Sequence, residues 1–124
     1  MVKIASEVIY KNDYKALISG ENIGQVASQT LSNIAVIQEA VNIPIIRPLS
    51  GFNKEEIINQ AEKIGTYNIS IEPYEDCCSY FVPSNPETKA RLDRVQKIEK
   101  DIELNKIIYN SMDQFETKEI LFYE

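Results

Sequence analysis

The chain has 124 residues, 44% of them hydrophobic and 26% charged, which suits one small folded domain and not two. Thirteen basic against nineteen acidic residues give a net charge of -6. That argues against a stand-alone nucleic-acid binder, because phosphate contacts need a basic surface, but not against part of a larger assembly whose other domains supply one.

No apolar run approaches the roughly 20 residues of a membrane helix. The start, Met1-Val2-Lys3-Ile4-Ala5-Ser6-Glu7, lacks the basic, apolar and small-residue order of a secretion signal. A cytoplasmic location without a membrane partner is the expectation. The chain contains no His, which removes the commonest general base and metal ligand. Its two cysteines are the neighbours Cys77 and Cys78. Adjacent Cα atoms sit about 3.8 Å apart, short of the usual disulfide range, so the pair is no staple across the fold. Two Cys without His also make a poor zinc set, and no metal site is expected.

In chain order, residues 1–12 carry Met1, Ile4, Ala5, Val8 and Ile9 on one helical face. No capping residue precedes them, which suggests that sequence is missing upstream. Lys15-Ala16-Leu17-Ile18-Ser19, ending at Gly20, reads as a buried strand of the parallel kind. A helix is expected over roughly residues 25–40, with Val26, Thr30, Ile34, Ile37 and Val41 in one stripe and Ala27, Leu31 and Ala35 beside it. Asn22 and Gln25 resemble its capping box. Ile43-Pro44-Ile45-Ile46-Arg47 reads as a second strand. The next helix has Asn53 as cap, Glu56 at the box position, Ile57, Ala61 and Ile64 as the buried stripe, and Gly65 as a left-handed stop. Strand and helix alternate, so the expected class is α/β with a parallel sheet flanked by helices.

Residues 67–86 read as a long ordered loop holding Ile69, Ile71 and the cysteines, and long loops in compact domains are often functional. From Pro86 the chain turns charged and helical. Leu92, Val95, Ile98 and Ile102 keep phase while Ile107 and Ile108 slip out of it, which predicts a bend or two helices. Thr117-Lys118-Glu119-Ile120-Leu121-Phe122-Tyr123 is expected to form a final edge strand.

Three segments offer chemistry. A thiolate at Cys77 or Cys78 can attack as a nucleophile or carry a persulfide, but Glu75 and Asp76 disfavour it. Two small buried hydrophobes are the competing reading, and on the residues alone the balance tips that way. Ser19-Gly20-Glu21-Asn22-Ile23-Gly24-Gln25 follows a strand and opens toward a helix, where ligands of parallel sheets bind. Its glycine spacing fits neither the dinucleotide fingerprint nor a Walker loop, so a strand-to-helix turn is the plainer reading. Residues 87–106 mix both charge signs, as a solvated helix face does; contact with RNA is the lesser reading.

Three runs together resemble the ThiI family. One is Ala16-Leu17-Ile18-Ser19-Gly20-Glu21-Asn22-Ile23-Gly24-Gln25-Val26-Ala27-Ser28-Gln29-Thr30-Leu31. The second joins Pro44-Ile45-Ile46-Arg47-Pro48-Leu49 to Lys54-Glu55-Glu56-Ile57-Ile58 and Ile64-Gly65-Thr66-Tyr67. The third joins Ile69-Ser70-Ile71 to Pro73-Tyr74-Glu75-Asp76-Cys77-Cys78 and Phe81-Val82-Pro83. The run from Gly20 to Thr30 is the most specific, and beyond about residue 100 only helical character matches.

The resemblance implies the second half of a PP-loop ATP pyrophosphatase domain, a partial Rossmann-like sheet. It also implies an activity, ATP-dependent synthesis of 4-thiouridine in tRNA: a uridine oxygen is adenylated, a protein persulfide delivers sulfur, and AMP leaves. On this resemblance Gly20 and Gln29 contact the nucleotide. Cys78 matches the essential cysteine, with Cys77 the less certain partner. ATP with magnesium, tRNA and a cysteine desulfurase are the implied cofactors and partners of the intact enzyme. The family's phosphate loop, Ser-Gly-Gly-x-Asp-Ser, is absent from the 124 residues, as are its ferredoxin-like, THUMP and rhodanese parts. The expectation is a shortened gene product or deliberately cut piece that resembles the short form. It is expected to bind ATP weakly, to be inactive alone and to self-associate through exposed half-domain surface. A non-catalytic assembly or sulfur-relay module is the alternative, and a thiamine role, which rests on the rhodanese part, carries little weight.

Overall fold

Parallel strands cannot be joined by a tight turn, so a short apolar strand followed by a helix and a second apolar strand forms a crossover unit. The chain builds one such unit. In the computed structural model, which describes residues 1–73 and 85–121, strand β1 (Leu17–Ile18) pairs in parallel with β2 (Ile45–Ile46), in the register Leu17 with Ile45 and Ile18 with Ile46. Helix α2 (Leu31–Gln38) makes the crossover. Helix α1 (Val2–Lys11) precedes the unit; α3 (Lys54–Lys63), α4 (Tyr67–Ser70), α5 (Leu92–Lys100) and α6 (Leu104–Asp113) follow it. The expected α/β class with a small parallel sheet is borne out.

Side chains alternate across a strand. Ile45 is therefore buried on one face, while Ile46 and its neighbour Ile18 are exposed on the other. Among the described residues the buried hydrophobics are Ile9, Val41 and Ile45. The chain exposes 10652 Å². A compact monomer of its mass exposes about 6,800 Å².

Helix α1 packs on α6 and β1, and Ile9 supplies its buried centre. Met1 does not join that face: it is the N-cap and almost fully exposed. The helix closes at Asp13, whose φ of 55° is left-handed. Tyr14 N–H then reaches back to the Ile9 carbonyl at 3.0 Å. Helix α3 has the expected capping box, with Asn53 accepting from Glu56 N–H at 3.0 Å and Glu56 accepting from Asn53 N–H at 2.6 Å. Gly65, at φ 73°, ends it with Thr66 N–H bonded to the Ala61 carbonyl and Gly65 N–H to that of Glu62, as the Schellman stop requires. Ile64, expected in the buried stripe, is exposed because the helix ends there and no described element packs over it.

Four expectations are corrected. The crossover helix begins at Leu31, not near residue 25: residues 23–28 are taken up by turns and a bend, with Gln29 N–H bonded to the Val26 carbonyl at 2.9 Å. Its cap is Thr30, which accepts from Asn33 N–H at 3.3 Å; Asn22 and Gln25 form no capping box. Residues 67–70 of the expected loop form the single helical turn α4. Of the strand expected at 117–123, residues 117–121 form none: Ile120 and Leu121 are exposed and pair with neither β1 nor β2, and Phe122 and Tyr123 lie outside the described residues. A lone segment gains no ladder, and strand propensity without a neighbour does not fold. The expected break in the charged C-terminal stretch is real, with α5 and α6 separated at Asp101-Ile102-Glu103.

Candidate functional site

The chain leaves β1 at Ile18 and turns through residues 19–30 before α2 starts, which places this loop at the carboxyl end of a parallel sheet. Ser19 extends the pairing by donating its N–H to the Ile46 carbonyl at 3.0 Å. Gly20 follows, exposed, with an ordinary φ and nothing within 4 Å of where a Cβ would stand. Neither backbone conformation nor packing among described residues requires glycine there. What its small size preserves is access to the backbone from outside, which a ligand or a further part of the protein can use.

The loop is tied down around Gly20. Glu21 accepts from Ser19 Oγ at 2.9 Å and from Arg47 Nε at 2.7 Å. Asn22, 4% exposed, donates its side-chain amide to the carbonyls of Leu49 and Phe52 at 2.5 and 2.6 Å. Its N–H donates to Gln29 Oε1 at 3.2 Å. That contact fixes which way the Gln29 amide faces, since only its oxygen can accept from an N–H. The Gln29 amide nitrogen bonds to no described residue and remains a donor for a ligand acceptor. Gly24 N–H and the Gln29 carbonyl close the loop at 3.1 Å. The two nucleotide-contact residues expected from the sequence, Gly20 and Gln29, are thus brought into one loop and linked through Asn22.

Gln29 and Glu21 face a cleft of about 650 Å³, whose opposite wall is the start of α5 with Arg91 and Arg94. Val36 and Ile37 of α2 and Val95 and Ile98 of α5 supply apolar surface. An apolar cleft with a few convergent polar groups is the ordinary form of a small-molecule site. Arg91 is bidentate to Asp93, at 3.1 and 2.8 Å, and this hydrogen bonding holds the Asp93 carboxyl below the usual carboxylate range. A lowered carboxylate pKa stabilises the fold above the unfolded value and loses that contribution as pH falls through the folded value. Both groups are exposed, so the pair does little for stability and keeps Arg91 from being a free cation.

Asn33 holds the wall in place. It is 9% exposed and donates its amide to the carbonyls of Ser28 and Glu87 at 2.7 and 2.6 Å, while its oxygen accepts from Ala90 N–H at 2.8 Å. Thr30 Oγ donates to the Thr88 carbonyl at 2.7 Å. Sequence reading placed Thr30 in an apolar stripe and passed over Asn33. The available signal is a polar residue three places after the Thr30 cap, within the stripe of apolar positions. Cys77 and Cys78 lie outside the described residues. Among the described residues no group of three or more His, Cys, Asp or Glu is placed to hold a metal ion. No described helix is long and apolar enough to cross a membrane.

Comparison with known proteins decides the family. A family model described as Thiamine biosynthesis protein (ThiI) matches residues 1–104. The chain belongs to the ThiI family. This ThiI-family chain is 53% identical over 120 residues to a protein named probable tRNA sulfurtransferase from Coxiella burnetii (strain RSA 493 / Nine Mile phase I), a match spanning 97% of the chain and 30% of the relative. A protein of the same name from Caldanaerobacter subterraneus subsp. tengcongensis is 50% identical over 110 residues, spanning 89% of the chain and 29% of the relative. Among solved structures, a 4-thiouridine synthetase–RNA complex with bound ATP superposes with a TM-score of 0.79 at 43% identity, covering 88% of this chain and 28% of that one. The ThiI-family chain therefore spans about 30% of the length of the curated relatives it matches.

Proposed function

We propose that this chain is the second half of the PP-loop domain of an ATP-dependent tRNA uridine sulfurtransferase, completed by phosphate-loop and THUMP parts of the kind that precede it in the family. The observation that carries the reading is the 20–29 loop. It stands at the carboxyl end of a parallel strand beside a cleft, and it belongs to a chain 43% identical to part of a synthetase solved with ATP and RNA. On this reading the exposed backbone of Gly20 lets the nucleotide approach closely, and the Gln29 amide nitrogen donates to it. The uridine oxygen attacks the α-phosphorus of ATP and pyrophosphate leaves. The terminal sulfur of a persulfide then attacks the activated carbon and AMP leaves with the oxygen; a second thiolate cleaves the resulting uridine–S–S–cysteine bond, releasing the thiouridine and leaving a protein disulfide that an external dithiol reduces. Cys78 is assigned to the sulfur step, with Cys77 as its neighbour; tRNA is the substrate, and a cysteine desulfurase the sulfur source.

The described residues do not form a magnesium cage. Magnesium binds readily through substrate phosphates and water, so no step is assigned to a protein-held metal here. Cytoplasmic placement follows from the tRNA substrate.

The test is ATP-dependent tRNA thiolation by this chain mixed with the upstream part of a ThiI relative. The expected result is activity that Cys78→Ser abolishes. A demonstrably formed complex that does not thiolate tRNA would support the other reading, a non-catalytic assembly or sulfur-relay module.

A further inference from the structure

The most buried ion pair among the described residues joins the ends of the two strands. Arg47, the residue after β2, donates from Nε to Glu21 Oε2 at 2.7 Å, and their side chains are 11% and 21% exposed. Arg47 Nη1 also holds the carbonyl of Ile45 at 3.1 Å. Ser19 Oγ donates to the same oxygen of Glu21. Gly20 therefore sits between Ser19, which donates to the carboxylate, and Glu21, which carries it, while nothing in its own packing among the described residues fixes it. From Glu21 the linkage continues through Asn22 to Gln29 on one side and to the Leu49 and Phe52 carbonyls on the other.

We infer that Arg47 is a positioning residue for the nucleotide: through Glu21 it sets the place of the Gly20 backbone and, by way of Asn22, of the Gln29 amide. The inference rests on the nucleotide reading of the 20–29 loop. Two features separate it from a purely structural pair. A buried ion pair is seldom the most stable choice, since apolar residues of similar volume often serve as well or better. Arg47 Nη2, within the pair, and Asn22 Oδ1, beside it, are also buried without a hydrogen-bond partner among the described residues, a cost that stability does not explain. What an apolar pair cannot supply is the direction that a guanidinium and a carboxylate impose on each other.

The experiment compares this chain, complemented by the upstream part of a ThiI relative, with its Arg47→Met, Glu21→Leu/Arg47→Met and Gln29→Ala variants. ATP dissociation constants come from calorimetry, thermal midpoints from melting, and the order of residues 19–23 from amide hydrogen exchange. In the double variant the melting midpoint is expected to hold, the amides of residues 19–23 to exchange about tenfold faster, and ATP to bind about tenfold more weakly. Unchanged ATP affinity in the double variant beside weakened affinity in Gln29→Ala overturns the role of Arg47 alone. Unchanged affinity in both, or no ATP binding by the unaltered complex, removes the nucleotide reading and the inference with it. Affinity lost only in proportion to a fall in melting midpoint makes the pair structural and also overturns it.

Discussion

Asn33 accepts a hydrogen bond from Ala90 N–H at 2.8 Å across 57 residues of chain. The same side chain donates to the Glu87 carbonyl, so one buried amide joins the start of α2 to the segment that leads into α5. The two walls of the cleft thereby become one unit.

Replacing Asn33 by Ala leaves two backbone carbonyls and one N–H, all in part-buried bonds, without that partner. A loss of about 1–3 kcal/mol is expected from the unsatisfied groups. Urea unfolding at fixed temperature measures it. Asn33→Asp should cost at least as much, since a carboxylate accepts from Ala90 but cannot donate to Ser28 or Glu87 and sets a charge against both carbonyl oxygens.

Asp13 points the other way. Its left-handed φ of 55° is unfavourable for a residue with a Cβ, and its ion pair with Lys15 is exposed on both sides. Asp13→Gly should therefore stabilise the chain by about 1 kcal/mol, read as an upward shift of the urea midpoint with an unchanged slope. A lower midpoint would mean that the exposed pair contributes more than such pairs ordinarily do.

The 124 residues taken alone are expected to bind ATP weakly. The loop carrying Gly20 and Gln29 offers one amide donor and an open backbone, while the phosphate loop of the family is absent from the sequence. Calorimetry with ATP and magnesium should give no saturation at micromolar nucleotide, and binding should tighten when the upstream part is added. Tight binding by the chain alone would show that the cleft beside Arg91 and Arg94 cradles phosphates.

Light scattering across a concentration series should detect a dimer. Ile18 and Ile46 stand side by side and exposed on one face of a two-stranded sheet, whose edges also lack partners among the described residues. Exposed edges and apolar patches of this kind promote association. A monomer at every concentration would count against it, and lysine at both positions, Ile18→Lys with Ile46→Lys, should weaken any dimer that forms.

Much of the fold was legible in local signals. The strands at Leu17 and Ile45 are short apolar runs bounded by Gly and Pro. Helix α3 is written out in Asn53, Glu56 and Gly65, because its caps bond to backbone within a few residues. The slip of phase after Ile102 marked the break between α5 and α6. Each depends on contacts close in sequence, and so sequence alone determined it. The α/β class followed from the same local reading, whereas Gly20 and Gln29 were named as nucleotide contacts by the family resemblance alone, and the local reading put Gln29 in a helix. What only the tertiary structure decided lies across long separations. The 23–28 segment closed into turns, and the helix started at Leu31 behind its Thr30 cap. Asn33 found partners at Glu87 and Ala90, and Arg47 found Glu21. Residues 117–121, apolar enough for a strand, found no strand neighbour among the described residues and formed none. Propensity and periodicity encode what a residue does to its own turn of chain. They do not encode which distant carbonyl or carboxylate will be within reach once two strand ends are brought together, and that proximity builds the site.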